Sequence, residues 1–95
     1  MRLTPEEKQR IYAFAVEAYE DIKARHKEKP LSCFDPLMKY WNDIHEVMYN
    51  IDNELPLKLE NIKIIIQLLN KVGGGYDEEL IDKCIKIQEE LELEK

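Results

Sequence analysis

Between Leu55 and Gly75 the chain runs LPLKLENIKIIIQLLNKVGGG. Leu55, Leu59, Ile62, Ile66 and Leu69 recur at alternating steps of four and three, the spacing that keeps side chains on one side of an α-helix. Ile65 and Val72 widen that stripe, and Leu57, Ile64 and Leu68 form a second one further round. At 100° per residue the apolar arc covers about 220° of the helix circumference. Glu60, Lys63, Gln67, Asn70 and Lys71 make the polar strip. A helix this apolar has to be enclosed, so the remaining elements are expected to pack around it. Its start is expected between Asn53 and Leu57, because Pro56 pushes Leu55 away from helical geometry. Gly73 suits a left-handed cap at its end, so Gly73–Gly75 is expected to act as a helix stop.

Three more amphipathic segments accompany it. Thr4-Pro5-Glu6-Glu7 is a helix start: an N-cap, a proline at the first helical position and a glutamate that completes a capping box. This helix is expected to run to about Lys27, with a core stripe of Ile11, Phe14, Ala15, Ala18 and Ile22. Tyr12, Val16 and Tyr19 are spare apolar surface beside that stripe. Asp35-Pro36 repeats the start signal for a second helix running to about Asn53. Its seam is Leu37, Trp41, Ile44, Met48 and Ile51, flanked by Tyr40 and Val47. Asp77 is the expected N-cap of the last helix, with Tyr76 stapled onto Ile81. Leu80, Cys84, Ile87 and Leu91 are its core positions, and the glutamates at 89, 90, 92 and 94 predict fraying after about Leu91.

The expected fold is all-α: a four-helix, mostly antiparallel bundle around the central apolar third helix, with residues 1–95 as a single helical domain. The competing architecture is a pair of helical hairpins that completes its core only as a dimer. In either case the second stripe of the third helix matters. One helix of a bundle normally offers a single apolar face of a little over 100°. The excess at Leu57, Asn61, Ile64 and Leu68 is therefore expected to meet a second copy of the chain, with Asn61 as the polar member setting the register.

Charge narrows the choice of partner. Fourteen basic and 20 acidic side chains leave a formal net charge of −6. Nucleic-acid binding needs a basic footprint, and anionic lipid attracts basic segments, so neither direct nucleic-acid contact nor membrane contact is expected. The basic run Lys23, Arg25, His26, Lys27 and Lys29 falls where a helix C-terminus favours positive charge. Cys33 and Cys84 do not make a disulfide framework. With no signal-peptide run and no long apolar stretch, a cytoplasmic location is expected.

Candidate chemistry is sparse. Asn42, His45, Glu46 and Tyr49 share one flank of the second helix, and a histidine beside a carboxylate suits proton transfer, metal binding or a protein contact. A di-iron bundle needs Glu-x-x-His on two helices, whereas Asn42 stands three residues before His45. No nucleophile elbow, phosphate loop or dinucleotide fingerprint occurs. The expectation is a small acidic, non-enzymatic interaction or regulatory module that self-associates, without cofactor or metal. The alternatives are an acidic decoy for a basic nucleic-acid-binding surface, and a small-molecule or metal-binding bundle using His45 with Tyr49 or a cysteine.

Overall fold

Backbone groups left unpaired at helix ends decide where the helices begin and stop, and the chain supplies most of their partners locally. The structure, a computed structural model, describes residues 2–72 and 78–94, with the backbone alone at 71 and 72. It contains α1 (Pro5–Glu28), α2 (Pro36–Asp52), α3 (Leu59–Val72) and α4 (Glu78–Leu93), with no strand among the described residues. The Thr4 hydroxyl accepts from the Glu7 N–H at 3.2 Å, and the Glu7 carboxylate accepts from the Thr4 N–H at 2.8 Å. That is the expected capping box. At the other end of α1 the Leu31 N–H donates to His26 Nδ1 at 3.0 Å, which places a ring proton on Nε2 and closes the turn into the connector. Asp35 then caps α2, accepting from the Leu37 N–H at 2.9 Å.

The α2–α3 junction departs from expectation. After α2 the Leu55 N–H donates to the Asn50 carbonyl at 2.8 Å and the Glu54 N–H to the Ile51 carbonyl at 3.2 Å. This is a Schellman motif with Glu54 in the left-handed region at φ 55°. Leu55 is thus spent on terminating α2, and Pro56 keeps it out of the next helix. α3 begins only at Leu59, so Leu55 and Leu57 lie on a connector and not on the helical stripes assigned to them. A glutamate pays a steric cost in left-handed geometry that glycine escapes, offset in part by glycine's looser unfolded chain. Glu54→Gly is therefore expected to raise stability by about 0.5 kcal/mol, read as a higher urea midpoint with an unchanged slope.

α3 packs on each of the other three helices, while α1 pairs chiefly with α2 and α4 chiefly with α3. The result is an all-α, mostly antiparallel four-helix bundle centred on α3. Ile62, Ile65 and Leu69 join Ile11, Val47, Ile51, Leu80 and Cys84 in one core cluster. Leu68 joins Ala15, Ile22 and Ile44 in a second. Phe14 and Ile64 pack against both.

The wide arc of α3 is explained by this enclosure. Its buried residues, Asn61, Ile62, Ile65, Leu68 and Leu69, are centred on Ile65 and fall between the two stripes. The seam expected on Leu57, Asn61, Ile64 and Leu68 is accordingly taken up within the chain. Leu68 is 0% and Asn61 3% exposed, Ile64 is half-buried between the two clusters, and Leu57, off the helix, packs on the first. Asn61 does set a register, but between α2 and α3: its Oδ1 accepts from Asn50 Nδ2 at 3.1 Å and from the Lys58 N–H at 2.8 Å.

α4 continues to Leu93, past the expected fraying point, although Leu91 is its last half-buried residue. Expectations for Gly73, Tyr76 and Asp77 lie outside the described residues. No described helix is long and apolar enough to cross a membrane.

Candidate functional site

Helical phasing gives the α1–α2 hairpin two faces. On α2 the buried residues are Ile44, Val47, Asn50 and Ile51, and the Asn50–Asn61 bond shows that this side meets α3. Asn42, His45, Glu46 and Tyr49 fall on the opposite side and are all exposed, Tyr49 at 55%. α1 carries Tyr12, Val16 and Tyr19 along one flank, each half-buried.

Packing of the two helices unites these sets. The rings of Tyr19 and Trp41 lie 5.4 Å apart at 43°, and those of Tyr19 and His45 6.1 Å apart at 36°. The rings of Trp41 and His26 lie 5.6 Å apart at 44°. Tilted rings at these separations attract through their quadrupoles. Trp41, a seam residue of α2, is half-buried and packs against the second core cluster, because the buried arc of α2 turns towards Val47 and Asn50. Its indole N–H is enclosed with no acceptor among the described residues. Sequence reasoning identified both flanks separately. Their juxtaposition depends on how α1 and α2 pair, for which periodicity gives no signal.

Among the described residues no group of three or more His, Cys, Asp or Glu side chains is placed to hold a metal ion. His45 is exposed on α2, Cys33 is exposed in the α1–α2 connector, and Cys84 is buried in the first core cluster. Burial, reinforced by the nearby negative charge of Glu7, pushes the Cys84 thiol up to about 11, so it stays protonated as a packing group.

One charged contact ties the outer helices together. Lys83 of α4 donates to the Glu7 carboxylate, and both side chains are largely covered. The Lys83 ammonium, followed by the Thr4 N–H, holds the Glu7 carboxyl below its usual 4.5. A lowered carboxylate value means stability that is present above pH 4.5 and lost as the pH falls through the folded value beneath it. The stability advantage of wild type over Glu7→Gln is therefore expected to be constant near neutrality and to shrink on acidification below that point. Urea melts from about pH 7 to pH 3 read it directly.

The fold and this face define a class: an all-α bundle with an aromatic strip on its outer hairpin. No family model matches the chain, and neither does any curated protein or solved structure.

Proposed function

We propose that this chain is a non-enzymatic protein-interaction module, an accessory or regulatory component of the cytoplasm, that pairs with a second copy of itself through the outer face of α1–α2. The observation that carries this reading is the contact of the Tyr19, Trp41 and His45 rings beside an exposed Tyr49. Tyrosine and tryptophan are enriched at interface cores and dominate binding energy there, because they bury a large area at little entropic cost. Met48, half-buried on the same side, adds an adaptable apolar contact. A two-fold axis brings such a strip against its own copy and is the commonest symmetry of soluble oligomers. The decoy alternative gains less support, since exposed basic residues on all four helices, among them Arg25, Lys39, Lys63 and Lys86, interrupt a continuous negative face.

Sedimentation equilibrium of wild type and a His45→Glu, Tyr49→Glu double variant tests the pairing. Wild type is expected to be a dimer and the variant a monomer. Folding stability should fall by about 1 kcal/mol or less per site, as both positions are exposed and only His45 gives up a ring contact, to Tyr19. A wild type that stays monomeric at all accessible concentrations removes self-pairing, and a variant that stays dimeric removes this face.

A further inference from the structure

A different surface lies on the other flank of α1. There α1 and α2 part to leave an open groove of about 600 Å³. Ala18 and Ile22 of α1 with Leu37 and Tyr40 of α2 give it an apolar floor. Ile22 is buried and the other three are half-buried, so the floor is reachable from outside. Ala18 recesses the α1 wall, because its side chain ends at Cβ. A phenol is uncharged near neutral pH, and burial raises that of Tyr40 further, so the floor carries no charge.

The rim is acidic. Glu17, Glu20 and Asp21 stand along the α1 edge, all exposed, with Arg25 at one end. Arg25 is held by Asp21 at 3.5 Å, which uses one carboxylate and leaves Glu17 and Glu20 as the main charges over the floor. An apolar strip edged with carboxylates repels phosphate-bearing ligands and anionic lipid. It matches a helix with one apolar face bordered by lysines or arginines, laid lengthwise in the groove.

We propose that the α1–α2 groove receives a basic amphipathic helix of another protein, its apolar side chains on Ala18, Leu37 and Tyr40 and its cationic heads at Glu17 and Glu20. This partner is distinct from the second copy assigned to the aromatic face, and binding here does not require that pairing. Such a contact is steered by charge, so it weakens as salt screens the rim.

The probe is a fluorescein-labelled peptide of about 15 residues, leucine and lysine placed with helical period, followed by fluorescence anisotropy with the full chain. A peptide with glutamate in place of lysine is the control. Wild type is expected to bind the lysine peptide saturably at one per chain, less tightly as salt is raised, and not to bind the glutamate peptide. Glu17→Lys with Glu20→Lys is expected to weaken binding by about ten-fold or more. The milder Glu17→Gln with Glu20→Gln should weaken it in the same direction, and circular dichroism confirms that both variants remain helical. The His45→Glu, Tyr49→Glu variant should bind like wild type, so loss of self-pairing and loss of groove binding are separable. Absence of saturable binding to wild type overturns the proposal. So does binding unchanged in both Glu17/Glu20 variants. Loss of the wild-type dimer in those variants also overturns it, since a second copy would then be the occupant.

Discussion

Leu68→Ala is expected to destabilise the protein by about 2–5 kcal/mol. Leu68 is 0% exposed and is the α3 member of the cluster with Ala15, Ile22 and Ile44. Truncation removes apolar area and leaves a cavity beside Ala15, whose single methyl group cannot reach across to fill it. The informative comparison is Ile66→Ala. Ile66 belongs to the main stripe assigned from the sequence, but in the structure it is half-buried on the edge of α3. Its truncation is expected to cost about 1 kcal/mol, in proportion to the smaller area removed from water. Urea midpoints of the two variants decide where the buried arc is centred. A larger loss at Ile66 than at Leu68 contradicts the packing described for α3.

Asn61→Ala is expected to have the second large effect. The Asn61 carbonyl oxygen serves two donors, the Asn50 amide at 3.1 Å and the Lys58 N–H at 2.8 Å. The backbone donor fixes which way the Asn61 amide points, since only its oxygen can accept. Asn50 is itself buried, so losing the acceptor leaves its amide without a partner, at about 1–3 kcal/mol. The Lys58 N–H, nearer the surface, adds a smaller penalty for loss of the helix-start bond. Replacing both asparagines by leucine removes the unsatisfied group and is expected to recover much of the loss, because apolar replacement of both partners is close to neutral. The measurement is a double-mutant cycle in denaturant. Independent effects of Asn50→Ala and Asn61→Ala would show that the pair does not couple α2 to α3.

Features set by neighbours in sequence were the legible ones. Thr4, Pro5 and Glu7, and again Asp35 and Pro36, carry their start signals in side chains that reach only two or three residues along the chain. The core stripe of α1 followed its periodicity, with Ile11, Ala15 and Ile22 buried. What failed depended on other elements. An arc as wide as that of α3 contains no internal mark of its centre, and the mark in the folded chain is a polar residue, Asn61, satisfied by α2. Asn50 is polar and so carries no mark of burial in its residue type, although its spacing from Val47 puts it on the buried side of α2. The later start of α3 follows from competition for Leu55, whose backbone N–H completes the end of α2. Of the candidate face, Asn42, His45, Glu46 and Tyr49 were visible as one exposed flank, and Tyr12, Val16 and Tyr19 as spare surface on α1. The bridge between them, Tyr19 against Trp41 and His45, is tertiary.

That bridge also offers the most direct measurement of the self-pairing. Trp41 is the single tryptophan of the chain, and it lies half-buried at the proposed contact. A second copy seated on this face excludes water from around the indole. Its emission is then expected to move to shorter wavelength as concentration rises, along the same curve as the dimer fraction from sedimentation. In the His45→Glu, Tyr49→Glu variant the emission should stay at its dilute value throughout. A wild-type dimer whose Trp41 emission is the same at every concentration would contradict pairing through the α1–α2 face.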